Sequence, residues 1–377
     1  VKLSGDWLRR PRTQAVLRML TDAGHQALAV GGCVRNEVMG LPASDVDIAT
    51  DALPETVMAL AQAAGLKAVP TGIAHGTVTV VSGGEGYEVT TFRRDVETDG
   101  RRAVVAFSDR IEDDARRRDF TMNALYAAAD GTLSDPLSGL EDALRGRVRF
   151  IEDAGQRIAE DHLRILRFFR FLAWYGDPAA GPDAEALAAC AAAVEGLDRL
   201  SRERVGAEML KLLTAPDPAP AVASLAAIGG LARVLPGADP RGLAPLVHLE
   251  AGLAADAIRR LAALGGDASD LRLSRADSRR LAGIRAAFES GESPAVLAWR
   301  HGAETARDAL LLRAALGGIP QDPSAEPEIR RGAAAEFPVR AADLPGLEGA
   351  ALGRRLKALE RRWTESDLRL TRDDLLA

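Results

Sequence analysis

Two aspartates, Asp45 and Asp47, alternate with Val46 and Ile48 in the run from Ser44 to Thr50. A period of two puts both carboxylates on one face of a half-buried strand. Carboxylates that close repel unless a cation lies between them, and hard oxygen donors suit Mg²⁺, whose shell phosphate oxygens can complete. Just upstream, Gly31 and Gly32 separate a strand-like run, Ala27 to Val30, from a short helical one, Val34 to Met39. Glycines permit a tight turn and close backbone approach, a helix start offers free N–H groups to an anion, and Arg35 adds a forked cationic donor. The unit reads as a site for a metal-bound triphosphate. Glu88, between apolar Tyr87 and Val89, is a third acid. If its strand lies beside Asp45 and Asp47, the three complete a two-metal site that activates a hydroxyl and steadies a leaving pyrophosphate. Each piece alone is bland: a D-x-D triplet arises by chance about once in a chain of this length, a lone Gly-Gly is usually a turn, and a single strand Glu usually faces solvent. Their order and spacing carry the reading.

Further along, Phe92 to Asp114 is charged, with Arg93, Arg94, Asp95, Asp99, Arg101 and Arg102 and no hydrophobic period. It is expected to be a solvated loop beside the site. It returns into Ala115-Arg-Arg-Arg-Asp-Phe-Thr-Met-Asn-Ala-Leu125, a basic cluster expected to open a helix. There Arg117 and Arg118 can meet a triphosphate, while Asp119 and Asn123, four apart on one helix face, can meet a ribose. Asp161, Arg164, Arg167 and Arg170 then recur every third residue. On a helix, neighbouring members project from one side, opposite Ile165, Leu166, Phe168, Phe169 and Phe171. Asp161 can accept from the amino group of cytosine or adenine while Arg164 donates to acceptors on the same edge, a pattern that U and G do not offer. By itself the run fits a helix braced by ion pairs equally well.

These residues need rigid elements behind them. Gly24 to Phe92 alternates short β-rich runs, Thr77 to Val81 and Tyr87 to Thr91 among them, with helical stretches such as Pro54 to Ala64, the pattern of an α+β head. After about residue 150 the chain turns helical, rich in Ala, Leu and Arg, with breaks at Thr214 to Pro220, Gly265 to Asp267 and Gly317 to Pro327. With 377 residues, 47% of them hydrophobic, there is apolar material for two or three cores, which excludes a disordered chain. Cys33 and Cys190, the only cysteines, lack the spacing of a disulfide framework or a zinc site. No run of about twenty apolar residues and no leader-like start is present, so no membrane association is expected and a cytoplasmic setting is. A net charge of −6 argues against nucleic-acid binding over the whole surface, so any contact with a polyanion must be local.

In order along the chain, Gly31-Gly-Cys-Val-Arg-Asn36, Asp45-Val-Asp-Ile-Ala-Thr50, His75-Gly-Thr-Val-Thr-Val-Val81, Tyr87-Glu-Val-Thr-Thr-Phe-Arg93, Arg117-Arg-Asp-Phe-Thr-Met-Asn-Ala124, Asp135-Pro-Leu-Ser-Gly-Leu-Glu-Asp142 and Glu160-Asp-His-Leu-Arg-Ile-Leu-Arg167 resemble the motifs of the class II tRNA nucleotidyltransferases, or CCA-adding enzymes, and their relatives the bacterial poly(A) polymerases. The resemblance covers roughly residues 25 to 215. It implies a polymerase-β-like catalytic head over 1–150, a helical neck with a base-selecting motif over 151–215, and a helical body and tail over 216–377 that bind tRNA. It further implies template-independent addition of C, C and A to the tRNA 3′ end, using CTP and ATP, with Mg²⁺ and no obligate protein partner. Asp45, Asp47 and Glu88 would be the catalytic acids, the first two holding the metal. The nucleotide would be met by Gly31, Gly32, Arg35, Arg117, Arg118, Asp119, Asn123, Asp161, Arg164, Arg167 and Arg170. The segment Leu200 to Leu210 resembles the family's next motif and is expected to brace the neck. Arg354, Arg355, Lys357, Arg361 and Arg362 make either a tRNA backbone patch or a solvated helix face.

Two departures stand out. Asn36 occupies the place where the family usually has Asp, and none of the five histidines forms the His-Asp dipeptide of an appended phosphohydrolase domain. Competing expectations are a poly(A) polymerase using ATP alone, a CC-only or A-only tRNA enzyme, and a catalytically silent tRNA-binding module. The His75 to Val81 motif favours the tRNA enzyme over the poly(A) polymerase, and the full-length segment before Arg116 argues against the CC-only type.

Overall fold

Short runs of small and β-branched residues build the sheet that carries the acids. In the computed structural model, residues 2–99, 102–318, 320 and 322–377 are described, with the side chains of 74, 95–99 and 102–105 excepted. Arg101, and the side chains of Asp95, Asp99 and Arg102, therefore lie outside the described residues. The chain divides into two compact units, Val1–Ser201 with Ala227–Arg233, and Arg202–Ala226 with Val234–Ala377.

In the first unit the strands are β1 (Ala27–Val30), β2 (Asp47–Thr50), β3 (Lys67–Gly72), β4 (Thr77–Ser82), β5 (Glu85–Thr91), β6 (Arg93–Asp99), β7 (Arg102–Phe107), β8 (Tyr126–Ala128) and β9 (Leu133–Ser134). Seven of them form one sheet in the order β3-β4-β5-β2-β1-β8-β9, antiparallel throughout except for the β2–β5 pair. Alternation in β4 shows why this sequence makes a strand: Val78 and Val80 are buried while Thr77 and Thr79 lie on the other face. The helices α1 (Asp6–Arg9), α2 (Pro11–Thr21), α3 (Gly32–Val38), α4 (Pro54–Ala63), α5 (Ile111–Arg116), α6 (Gly139–Leu144), α7 (Ala154–Glu160), α8 (Leu163–Tyr175) and α9 (Ala184–Ala192) complete the main elements. Both α2 and α4 start at a proline, whose missing N–H costs nothing in a first turn, and both pack on the sheet. Val30, Ala49, Phe92, Ala115, Ala124, Tyr126 and Ile151 form a core cluster under the acid-bearing strands.

Two expectations from sequence are corrected here. The charged stretch after Phe92 is not a loop: β6 and β7 pair as a separate antiparallel ribbon, Arg93 opposite Phe107 and Arg94 opposite Ala106. A two-stranded ribbon outside the main sheet has little apolar surface to bury, so it leaves no hydrophobic period to read. Nor do Ala115 to Leu125 open a helix. α5 ends at Arg116, and only a 3₁₀ turn, Thr121–Asn123, follows. The cause is tertiary: Phe120 is extended and bridges Phe150, with Ile151 N–H donating to the Asp119 carbonyl and Thr121 N–H to that of Arg149.

α8 is fixed to the head by its apolar face, where Ile165, Leu166, Phe168, Phe169 and Phe171 are buried as expected and Leu163 joins them. Ring centroids lie 4.8 Å apart for Phe120 and Phe171, 4.9 Å for Phe120 and Phe150, and 5.7 Å for Phe150 and Phe168. Such pairs add to what burial of each ring contributes.

The second unit is helical among its described residues. One of its cores gathers Val296, Val339, Leu359, Trp363 and Leu375, with Trp299 edge-on to Trp363 at 5.1 Å. A second feature is a buried ion network. Arg259 reaches Glu250 at 2.6 Å and Asp308 at 3.1 Å, Arg260 reaches Glu250 at 2.8 Å, and Arg280 joins Asp308 at 2.8 Å to Asp256 at 2.5 Å.

Candidate active site

The site begins where β1 ends. Gly31 has φ +75°, ψ −121°, a conformation closed to side-chain-bearing residues, and it turns the chain directly into α3. At Gly32 a Cβ would lie 2.6 Å from Ser44 Oγ, so a larger residue there would make the Ser44 hydroxyl turn away.

That segment delivers the acids. Asp45 lies ahead of β2, Asp47 is its first residue, and the parallel register sets Asp47 opposite Glu88 and Ile48 opposite Val89. Asp47 and Glu88 thus stand side by side, while Asp45, expected on the same strand face, lies on the segment before β2. Asp47 faces solvent, yet the protein around it removes enough water to push its carboxyl up to about 6, with Glu88 and Asp45 acting in the same direction and Arg118 against them. Among the described residues, no group of three or more His, Cys, Asp and Glu side chains is arranged to hold a metal ion. The strands that carry Asp47 and Glu88 are neighbours, as the three-acid expectation required, and Asp45 stands on the segment just before the first of them. What the chain offers is hard carboxylate oxygens with a surplus of negative charge, the chemistry of a divalent-cation site completed by ligands from a substrate.

Behind the acids lies a buried polar chain. Arg35, 5% exposed, donates through Nε and Nη2 to Asn36 Oδ1 and through Nη1 to Asn123 Oδ1, and its guanidinium stacks 3.8 Å from the Tyr175 ring centroid. Burial lowers its pKa. Asn123 Nδ2 donates to Asp119 Oδ1 at 2.8 Å, and Asp119 Oδ2 accepts from Arg167 Nε at 2.8 Å. Burial alone would raise the Asp119 carboxyl, but Arg167 and the hydrogen bonds from Asn123 and Phe120 N–H hold it below the usual carboxylate range. Asp119 and Asn123 do meet, then, through a turn rather than along a helix face, and these bonds bind them to arginines.

Arg118 is likewise engaged. Its Nη2 donates to Asp114 Oδ2 at 2.9 Å and its Nε to Tyr126 OH at 3.1 Å, while Tyr126 OH donates to Asp114 at 2.9 Å. Burial opposes its charge, but these partners keep Arg118 protonated. Its Nη1 lies 3.5 Å from where a Cβ on Gly31 would stand, which places it at the glycine turn. Arg117 caps the end of α5, and its carbonyl faces Arg164 Nη2 at 3.5 Å.

The residues expected from sequence to read the base do not share one helix. Asp161 sits in the break between α7 and α8, with φ −155° and ψ 105°, and its Oδ1 accepts from Leu163 N–H at 3.1 Å. Arg164, Arg167 and Arg170 follow on α8. Arg164 donates to Glu160 and, at 2.6 Å, to the Arg157 carbonyl, while Arg170 stacks 4.7 Å from the Phe171 ring centroid. Sequence reasoning missed Asp114, Tyr126, Glu160 and Tyr175. Asp114 precedes Arg118 by four, a detectable ion-pair spacing. Tyr126 and Tyr175 leave no such trace.

In unit two, Arg354, Arg355, Lys357, Arg361 and Arg362 are exposed on the helix Gly349–Glu365, with Arg362 donating to the carbonyls of Asp374 and Leu375.

A small mixed sheet with acids at the start of one strand and on its parallel neighbour, fed by a double-glycine turn, defines a nucleotidyltransferase head. Residues 27–149 match the poly A polymerase head domain, and residues 182–241 match a probable RNA- and SrmB-binding site of polymerase A. Over these residues the chain is similar to the tRNA nucleotidyltransferases and bacterial poly(A) polymerases. It is 40% identical over 201 residues to the human mitochondrial CCA tRNA nucleotidyltransferase 1, covering 53% of this chain and 46% of that protein. It is 41% identical over 239 residues to the CCA-adding enzyme of Geobacillus thermodenitrificans, covering 62% and 57%. The chain thus spans about half the length of these curated relatives. Its fold is similar to that of the Bacillus stearothermophilus CCA-adding enzyme in complex with CTP, with a TM-score of 0.73 at 29% identity, over 94% of this chain and 93% of that one. An α+β polymerase head followed by helices is the architecture found. The family generally uses divalent metal ions. No helix among the described residues is long and apolar enough to cross a membrane.

Proposed function

We infer that this chain adds C, C and A to the 3′ end of tRNA without a nucleic-acid template, consuming CTP and ATP, releasing pyrophosphate, and working in the cytoplasm. The observation that carries the reading is the register of Asp47 opposite Glu88, beside the Gly31–Gly32 turn, in a chain with these relatives. Asp45 and Asp47 would hold a divalent ion, Mg²⁺ by the hardness of their oxygens, which supplies charge neutralisation at the triphosphate. Glu88 positions the tRNA 3′-hydroxyl or takes its proton as that oxygen bonds to the α-phosphorus. The bond from the α-phosphorus to the β-phosphate oxygen breaks in line, and pyrophosphate leaves with its electron pair. Gly31 and Gly32 bring backbone close to the triphosphate, and Arg117 and Arg118 offset its charge. Asp161 and Arg164 read the base edge, after Arg164 exchanges Glu160 for the nucleotide. Arg35, Asp119, Asn123, Arg167 and Arg170 form the wall that keeps the base reader in register with the acids. The exposed arginines and lysine of Gly349–Glu365 supply phosphate contacts to tRNA.

The test is incorporation of labelled nucleotide into tRNAs ending before CCA, after C, and after CC, with CTP and ATP given separately and together. Addition that stops at CCA is expected. Long A tails would make it a poly(A) polymerase, arrest at CC or addition of A alone a specialist, and no extension a silent tRNA-binding module.

A further inference from the structure

Asn36 is held from both ends of its side chain. Oδ1 accepts from Arg35 Nε at 3.2 Å and Nη2 at 2.8 Å, while Nδ2 donates to the Pro42 carbonyl at 2.8 Å. A guanidinium only donates and a carbonyl only accepts, so one orientation of an amide serves both and a carboxylate cannot. The main chain adds a third bond, from Leu41 N–H to the Asn36 carbonyl at 2.8 Å. Three residues past Pro42 stands Asp45, and between them Ser44 is seated against Gly32. The segment leading to the acids is therefore tied to α3 where it begins, and Asn36, 9% exposed, makes the tie.

We propose that Asn36 is a positioning residue for Asp45: its amide ties the chain at Pro42 to α3 and thereby sets where the Asp45 carboxylate stands before a metal ion arrives. The proposal rests on the nucleotidyltransferase reading and explains an amide where the family usually has an aspartate. An aspartate at this place still accepts from Arg35, but its second oxygen meets the Pro42 carbonyl, acceptor against acceptor, and the tie becomes a repulsion.

Amide hydrogen exchange of the metal-free protein tests this directly, comparing wild type with N36D and N36A. In both variants the amide of Leu41, which donates to the Asn36 carbonyl, is expected to exchange about fivefold faster, the worth of one lost hydrogen bond, while those of β4 do not change. In CMP incorporation into tRNA lacking CCA, the Mg²⁺ concentration for half-maximal rate should rise by about the same factor, with KM for CTP within about twofold of wild type. N36D should be the worse of the two. Unchanged exchange at Leu41 overturns the proposal, as does a wild-type Mg²⁺ requirement in N36D, or a raised KM for CTP at unchanged Mg²⁺ requirement, which would place the effect at Arg35. If N36D does not fold, N36A decides alone. A wild-type protein that transfers no nucleotide defeats the functional reading instead, and the exchange comparison still decides the tether.

Discussion

At the scale of single residues, the acids are where function and stability oppose each other. Asp47 is pushed up to about 6 by lost hydration and by Glu88, so the folded protein binds a proton there more tightly than the unfolded chain does. Stability from this group is fully present below the unfolded pKa and is lost as pH rises through about 6. Because the side chain is exposed, the effect stays below about 1 kcal/mol. D47N should therefore melt slightly higher than wild type at pH 8 and no higher at pH 4, in metal-free thermal scans, while transferring no nucleotide. D45A should leave the melting curve in place and lower incorporation by at least about 10³-fold, since charge neutralisation at the phosphates is the main catalytic term. Transfer at near wild-type rate by either variant would remove the acids from the mechanism. The reaction's Mg²⁺ requirement should also climb as pH falls below about 6, where Asp47 takes up its proton. The two aspartates and the glycines were legible because strand period and turn chemistry are local. Tyr126 was not, since what makes it matter is its meeting with Arg118 across a turn, and Asp114 showed only as an acid four residues before that arginine.

At the scale of elements, the strands Ala27–Val30 and Thr77–Ser82 and the helix Pro54–Ala63 lie where apolar period and proline placement set them. Apart from the β6–β7 ribbon, the misses share one cause. Phe120 leaves the helical path because it pairs with Phe150, far along the chain, and no local propensity encodes that. Asp161 falls in a break whose backbone is set by how α7 and α8 each dock, so a three-residue spacing read as one helix was two elements in series. The aromatic cluster that docks α8 gives a prediction at this scale. F168A should cost about 3–5 kcal/mol by leaving a cavity among Phe120, Phe150 and Phe169, measured by denaturant unfolding. Because α8 carries Arg164, the surviving folded fraction should also discriminate CTP and ATP from UTP and GTP less well. Discrimination unchanged in F168A would separate base selection from the docking of α8.

At the scale of the whole molecule, the chain was readable as an α+β part followed by helices, and that is the order of elements found. The helical unit holds its charges differently from the head. Asp308, 2% exposed, lies between Arg259 and Arg280, and burial raises its carboxyl in spite of both. D308N leaves two guanidiniums without their counter-charge and should cost the unit about 3–5 kcal/mol. A loss below about 1 kcal/mol, read by calorimetry, would mean that Glu250 and Asp256 carry the network without it. Temperature gives this network a further meaning. The hydration of charged groups grows less favourable on heating, so the cost of keeping six such side chains from water declines as the solution warms. A core of hydrocarbon gains nothing comparable, and the helical unit should therefore owe a larger share of its cohesion to these charges near its melting point than at 25 °C.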